Sequence, residues 1–270
     1  MRQNELYDVI ILGASSEGLA LAEYVKSKDA NVKVAIVSKH FDFVKSTDRL
    51  LDTELIAGES AYSSFNHGLI ALTLKDKRLV VGKNLVIATG GYPVKATADK
   101  FKSKSVCYNP REITIDPKNK PAVVYGSGDD AVRFALAMAK KFKYVYLCSD
   151  GFELACDAKL LKKLNDTANI VHLPNCSISS CRSDKEGKLQ EVTLSTYDTI
   201  KCSALVLALG RKPHVSGVDP NMIETDADKY VKINARHQTT KAANIYAIGE
   251  CTRHNTKRSI AVVGNQLLGR

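Results

Sequence analysis

The sequence lacks a membrane span. No run of it approaches the ~18 consecutive apolar residues that crossing a bilayer needs. The longest early apolar run, Val9-Ile10-Ile11-Leu12, is too short for a signal-peptide core. A cytoplasmic protein with no membrane association is the expectation. No low-complexity tract occurs. The chain has 7 cysteines, yet no two stand at C-x-x-C spacing, and their number is odd. That argues against a disulfide framework, a zinc ribbon and a thioredoxin-type dithiol. Six histidines, His40, His67, His172, His214, His237 and His254, are scattered with no i, i+4 pair, so no metal site is expected. No nucleophile elbow or Ser-His-Asp pattern supports a hydrolase. Long basic stripes are absent too: Lys140-Lys141 and Lys162-Lys163 are short clusters. Nucleic-acid binding is not expected on that criterion.

What is present describes an ordinary folded chain. It has 270 residues, 44% hydrophobic and 25% charged, a composition typical of soluble globular domains. That length suits one large domain or two small ones. Lys and Arg number 39 against 29 Asp and Glu, a net charge of +10. Such an excess favours contact with a nucleotide or an acidic protein.

Two stretches share one grammar. Tyr7 to Leu12 has strand length and runs into Gly13-Ala14-Ser15-Ser16-Glu17-Gly18. Leu19 to Ser27 follows with helical spacing, then Val32 to Val37 as a second strand. Pro121 to Tyr125 repeats the pattern: Gly126-Ser127-Gly128-Asp129-Asp130-Ala131 opens a helix over Val132–Lys141, and Tyr144–Cys148 is the next strand. Each reads as a β-α-β unit with glycines at its first turn. Between them, Leu69–Leu74 and Arg78–Val81 form a hairpin around Lys75-Asp76-Lys77. Leu85–Ala88 is a separate buried-type strand ending at Thr89-Gly90-Gly91. Later strands are expected at Leu189–Ser195, Ser203–Leu209 and Ile245–Ile248, and a last helix at Ser259–Leu268. Phe41 to His67 gives no clear pattern.

The glycine turns suit a diphosphate, which needs backbone N–H groups at close range and the positive end of a helix dipole. Gly13 permits a tight turn and Gly18 a close helix–strand contact. The usual middle glycine is missing, with Ala14 followed by Ser15, and a methyl there crowds the pyrophosphate approach. The second strand ends at Ser38-Lys39-His40, with Asp42 nearby, where an acid would grip a ribose. Ser38 could hydrogen-bond that ribose and Lys39 could meet a phosphate; Lys39 and His40 could equally be solvated loop residues. The second turn matches the fingerprint better, with Ala131 in the third slot. Its next strand ends at Cys148-Ser149-Asp150. A lone acid such as Asp150 suits a free 2′-hydroxyl, and no arginine cluster stands ready for a 2′-phosphate. NADH is therefore expected over NADPH. Asp129 and Asp130 lie where an anionic ligand would bind, which argues mildly against any dinucleotide at this turn.

The two turns, a strand ending in Ala88-Thr89-Gly90, another ending in Gly210-Arg211-Lys212-Pro213, and a late Gly249-Glu250 occur in one order. In that order the chain resembles the two-dinucleotide-binding-domain flavoproteins, and among them the low-molecular-weight thioredoxin reductase-like branch. The resemblance implies an α/β fold with two Rossmann-like domains, the second inserted into the first. It assigns 1–105 plus 236–270 to FAD and 106–235 to NAD(P). It implies that Gly13, Ala14, Ser15, Ser16, Glu17 and Gly18 meet the FAD pyrophosphate, and that Ala88, Thr89 and Gly90 line the adenosine side. Gly249 and Glu250 would lie by the ribityl-phosphate region, with Glu250 in place of the usual aspartate. Lys257, Arg258, Ser259 and Ile260 would begin a helix aimed at the isoalloxazine, and His254 would approach the flavin or remain a solvent-exposed loop residue. Gly126, Ser127, Gly128, Asp129, Asp130, Ala131 and Asp150 would serve the nicotinamide nucleotide.

The departures from that branch carry equal weight. Its reductases have C-x-x-C just before the second glycine turn. Here that place reads Cys107-Tyr108-Asn109-Pro110, with one cysteine, and a dithiol relay needs two. The basic H-R-R signature for a 2′-phosphate is absent from Cys148 to Phe152. The stretch from Ser38 to Leu85 is short, and the last helix stops soon after Gly264, so the flavin site is expected to be open or completed by a second subunit in a homodimer. The resulting expectation is a FAD-dependent oxidoreductase passing electrons from a nicotinamide nucleotide to a ferredoxin, a flavodoxin or a small oxidant. An acidic electron-transfer protein would suit the net charge. The alternatives are a flavin-binding protein that has lost catalysis and a cofactor-free partner-binding module.

Overall fold

A computed structural model describes residues 5–41, 50, 52–97, 101–114, 117, 120–239, 241–253 and 257–270, apart from the Lys257 side chain. In chain order its elements begin with β1 (Leu6–Leu12), α1 (Ser16–Lys28), β2 (Val34–Ser38), β3 (Thr53–Ala57), β4 (Ser60–Asn66), β5 (Leu69–Leu74), β6 (Leu79–Ile87) and β7 (Gly91–Pro93). Then come β8 (Val106–Cys107), β9 (Ala122–Tyr125), α2 (Asp129–Ala139), β10 (Val145–Cys148), α3 (Ala158–Asn165), β11 (Ile170–Leu173), β12 (Ile178–Ser183), β13 (Leu189–Leu194), β14 (Thr199–Lys201) and β15 (Ala204–Leu207). The chain ends with β16 (Arg211–Pro213), β17 (Ile245–Ala247) and α4 (Lys257–Leu267). It divides into two units: Met1–Tyr92 with Lys212–Arg270, and Pro93–Arg211 inserted between them.

The first unit is built on one sheet of order β3-β2-β1-β6-β5-β4, with β17 also paired to β6. The β1–β2, β1–β6, β2–β3 and β6–β17 pairs are parallel. β4, β5 and the first half of β6 are antiparallel. Period-two alternation sends the side chains of β1 to two faces. Ile10 and Leu12 enter a cluster with Ile70, Leu72 and Leu74 of β5. Val9 and Ile11 pack against Leu21, Ala22 and Val25 of α1 and Val263 of α4. Each fully buried aliphatic side chain here contributes about 1.5–3 kcal/mol.

The sequence reading divided β6 in two, at Arg78–Val81 and Leu85–Ala88. Instead it is one strand. Gly82, Lys83 and Asn84 look like a break, but a Cβ at Gly82 would stand 2.7 Å from the Ile10 side chain. The glycine is there to let two strands approach, not to turn the chain. The domain limits also differ from the expected 105/106 and 235/236. Val218, Met222, Ile223 and Val231 fall in the same apolar cluster as Ile10 and Leu85, so residues 212–235 belong to the first unit.

The inserted unit has a parallel sheet of order β11-β10-β9-β15-β8. One face is covered by α2 through Ala131, Val132, Ala135 and Met138. On the other face lies the antiparallel sheet β12-β13-β14, through Ile178, Leu189, Val192 and Leu194. No helix among the described residues is long and apolar enough to cross a membrane.

Candidate functional site

In the first unit, β1 delivers the chain to Gly13, whose φ is +109°. A Cβ there would meet the Ala88 carbonyl oxygen at 2.3 Å. Only glycine permits that approach. Ser15 caps α1 in extended backbone (φ −68°, ψ 166°), its side chain accepting a hydrogen bond from the Gly18 N–H at 3.1 Å. Gly18 in turn lies so close to the turn that a Cβ would stand 2.6 Å from the Gly13 carbonyl. The crowding expected of Ala14 does not arise, because its methyl is buried in the α1-side cluster. The middle slot between Gly13 and Gly18 is held by Ser15, whose hydroxyl takes up one of the helix's free N–H groups.

Around this turn the other expected residues converge in part. Ala88 is fully buried at the end of β6. Thr89 donates its hydroxyl hydrogen bond to the His214 carbonyl, and Gly90 has φ +68°. Gly249, φ +78°, would place a Cβ 3.3 Å from the Glu17 side chain. Ser16 donates to Glu17 Oε2 at 2.9 Å. Glu250 Oε2 would lie 3.4 Å from a Cβ at Gly91. α4 brings in Ser259, which is buried, Ile260, half-buried, and Arg258, exposed. Ser38 and Lys39 are engaged elsewhere. Ser38 Oγ donates to the His40 carbonyl at 2.7 Å, and Lys39 Nζ is 4.0 Å from Glu59. Lys75 and Lys39 hold the Glu59 carboxyl below the usual carboxylate range. Asp42 and His254 lie outside the described residues.

The second turn repeats this design in the inserted unit. Gly126, φ +149°, would put a Cβ 2.2 Å from the Ala208 carbonyl oxygen. Around Gly128 a Cβ would find open space. Gly128 is the N-cap of α2 with no side-chain cap hydrogen bond, so its helix presents N–H groups unclaimed by a cap. Ala131 is fully buried, and Ser127 is half-buried at the turn. Asp129 faces away from a ligand role: its Oδ1 accepts from the Asp157 N–H at 2.8 Å and its Oδ2 pairs with Arg133 at 3.4 Å. Asp130 lies in the first turn of α2. Asp150 accepts the Tyr125 hydroxyl at 2.7 Å. Burial, and then that contact, push the Tyr125 pKa up.

Cys107 lies on β8 and is buried. Burial first, then the Glu112 carboxylate, pushes its thiol up to about 12. Among the described residues, no group of three His, Cys, Asp or Glu side chains could hold a metal ion.

The sequence model of the pyridine nucleotide-disulphide oxidoreductases matches residues 7–265. The chain belongs to that family. Its members are flavoprotein oxidoreductases that bind FAD and NAD(P)H. The chain is similar to the thioredoxin reductase of Ureaplasma parvum, 26% identical over 97% of this chain and 93% of that protein. It is also similar to a ferredoxin–NADP reductase of Colwellia psychrerythraea, 25% identical over 73% of this chain and 59% of that one. Among solved structures, the thioredoxin reductase of Lactococcus lactis superposes with a TM-score of 0.79 at 16% identity, covering 97% of this chain and 98% of the other. That likeness is one of fold: two Rossmann-like domains, the second inserted into the first.

Sequence reasoning missed three structural details at these turns. It did not find Tyr125 as the partner of Asp150, nor the Asp157 N–H as the partner of Asp129. It also missed His214, whose carbonyl receives Thr89. The paired residues lie 25, 28 and 125 positions apart in sequence, and no spacing rule joins them.

Proposed function

We propose that the chain is a FAD-dependent oxidoreductase that takes electrons from NADH and passes them to an acceptor other than a protein dithiol. The observation that carries the acceptor half is Cys107. It is the cysteine nearest the place of the family's redox pair, it has no partner at C-x-x-C spacing, and its thiol is buried and protonated. A relay needs an attacking and a resolving sulfur, and the attacking form is the thiolate.

The cofactor half rests on the two turns. At Gly13 and Gly126 a Cβ would strike a backbone carbonyl, leaving tight turns in front of the positive ends of α1 and α2. The residues present fit dinucleotides at both. Gly13, Gly18 and the N-terminus of α1 would hold the FAD pyrophosphate, with Ala88 to Gly90 and Gly249-Glu250 beside it. Gly126, Gly128 and α2 would hold the nicotinamide nucleotide. FAD supplies the hydride-accepting chemistry, and the chain supplies orientation and charge. Asp150 supports NADH: a carboxylate suits a free 2′-hydroxyl, and Cys148 to Phe152 carry no Lys or Arg for a phosphate. The net charge of +10 supports an acidic electron-transfer protein, a ferredoxin or flavodoxin, as acceptor.

The test is an absorbance spectrum of the purified protein, followed by anaerobic titration with NADH and then NADPH. The expected result is a flavin band that NADH bleaches at lower concentration than NADPH. A flavin band that neither nucleotide bleaches refutes the reading.

A further inference from the structure

Four cysteines of the inserted unit, absent from any role above, share one apolar cluster. Cys148, Cys176 and Cys202 are buried in it, and Cys181 packs against it. Two of them meet. Cys148 ends β10, opposite Leu173 of β11 in parallel register. Leaving β11, the chain turns through Asn175, whose φ is +50°. It comes back so that the Cys176 N–H donates to the Ser149 carbonyl at 2.8 Å. That bond places Cys176 beside Cys148 in one apolar cluster, near enough that each thiol shifts the other's ionisation. The two residues are 28 apart in sequence, so no motif announces them.

The surroundings are unusual for packing alone. Ser149, fully buried, donates its hydroxyl to the Gly151 carbonyl at 2.9 Å and accepts from His172 Nε2, also at 2.9 Å. Tyr125 holds Asp150. The chain just after Cys148 is thus held by polar contacts, while Cys148 and Cys176 lie in one apolar cluster. Cys148 is fully buried and Cys176 is 5% exposed, so Cys176 is the sulfur that a small oxidant reaches first.

We propose that Cys148 and Cys176 form a redox-active dithiol, closed to a disulfide by a peroxide. The Cys176 sulfur, as thiolate, attacks one oxygen of hydrogen peroxide. The O–O bond breaks, a sulfenic acid forms, and the departing hydroxide takes up a proton to leave as water. The Cys148 sulfur then attacks the sulfenic sulfur. The S–S bond forms, the S–O bond breaks, and the hydroxyl leaves as a second water carrying the Cys148 proton. In total two thiols are oxidised by two electrons and one peroxide is reduced to two waters. Burial raises both thiols and keeps them protonated at neutral pH, and the neighbouring Cys148 offsets part of that rise at Cys176, which makes Cys176 the better thiolate of the two. The reaction is accordingly slow at pH 7 and quickens as pH rises.

The disulfide would tie the loop after β11 to the strand end bearing Asp150. On the reading that Asp150 meets the NADH ribose, closure weakens NADH binding. That consequence rests on the proposed function, whereas formation of the bond does not.

The experiment treats the purified holoprotein with hydrogen peroxide, quenches with a thiol-blocking reagent under denaturing conditions, and maps peptides by mass spectrometry. The expected result is a loss of two free thiols, a mass before blocking that is lower by about 2 Da than that of the reduced protein, a linked Cys148–Cys176 peptide, and full reversal by dithiothreitol. Cys176→Ser and, separately, Cys148→Ala abolish the linked peptide, and Cys156→Ser leaves it intact. Because the wild-type map is decisive alone, a variant that fails to fold does not cloud it. Oxidation confined to Cys156 or Cys181, a link between two chains, or no thiol loss would each overturn the proposal. The NADH titration repeated on oxidised protein separates the two readings: a mapped disulfide with unchanged NADH affinity refutes only the coupling to Asp150.

Discussion

Three glycines in two kinds of surroundings separate folding from ligand binding. Gly13 and Gly126 each face a carbonyl oxygen across a gap that no Cβ can share. Alanine at either would combine left-handed or otherwise strained backbone with a steric clash, costing at least about 2 kcal/mol. Gly13→Ala is expected to lower the denaturation midpoint and lose the flavin together. Gly128→Ala meets open space, so it should leave stability within about 0.5 kcal/mol and still weaken NADH binding by crowding the pyrophosphate. Equal loss of stability in Gly128→Ala and Gly126→Ala would contradict this division. At this scale the glycines themselves were legible, since their spacing follows a strand and opens a helix. Ala14 was not: whether its methyl faces a ligand or the core depends on how α1 packs, and that is decided by Leu21, Ala22 and Val25 burying against β1. Buried thiols give a second residue-scale prediction. Burial pushes Cys251 up to about 12 from an ordinary 9.0, and Cys202 likewise. The folded state therefore keeps its thiol protons where the unfolded chain loses them. Their stabilisation is complete below pH 9 and is lost as pH rises toward 12. Denaturant midpoints should fall between pH 8.5 and pH 10.5, as a range of about two pH units above the ordinary thiol value, and fall less steeply in Cys251→Ala. A slope unchanged by that substitution would assign the alkaline loss to other groups.

Among the elements, α4 shows how the C-terminal segment is held on the first unit. A Cβ at Gly264 would stand 2.4 Å from the Tyr24 ring, and the Tyr24 hydroxyl donates to Asn265 Oδ1 at 2.9 Å. The absent side chain lets α4 settle on α1, and the hydrogen bond fixes where along the helix it settles. Tyr24→Phe should cost about 0.5–1.5 kcal/mol. Gly264→Val should cost more, about 1–3 kcal/mol, and should lower flavin affinity through displacement of Ser259 and Ile260. Retained flavin affinity in a destabilised Gly264→Val would remove α4 from the proposed site. The sequence showed α4 through its helical spacing and showed β1, β2, β5, β9 and β10 through their apolar runs. It did not show β3 and β4. β4 is an edge strand with exposed Tyr62 and Phe65, so half of its pattern never enters a core and alternation is weak. α3 was missed for a related reason: its eight residues bury Leu164 alone, too little to set a period.

At the scale of the whole molecule, the division between units lies where the apolar clusters divide. Every residue of the clusters around α2 and the β12-β13-β14 sheet falls within 93–211. Every residue of the two clusters around β1 falls outside that range. The sequence reading took the return boundary at 236 from the family resemblance, and residues 214–235 contain no helix or named strand that would have corrected it. Their apolar side chains are spaced by turns at Asp219 and Asp226, whose carboxylates accept from the backbone N–H groups of Asn221, Asp228 and Tyr230. Only the packed core reveals which unit Val218, Met222, Ile223 and Val231 serve. A segment that keeps its whole core needs nothing from the rest of the chain to bury it. The strands at its two ends, β7 and β16, also pair with each other, so its ends start and finish together. Residues 93–211 expressed alone should therefore fold with a cooperative, two-state transition and bind NADH while binding no FAD. The complementary chain, 1–92 joined to 212–270 by a short Gly-Ser linker, should bind FAD and show no response to NADH. An inserted unit that stays soluble yet unfolds without cooperativity, or that binds FAD, would show that the clusters do not mark independent folding units. If both fragments behave as expected, mixing them without restored bleaching by NADH would show that hydride transfer needs the covalent connection to hold the two cofactors together.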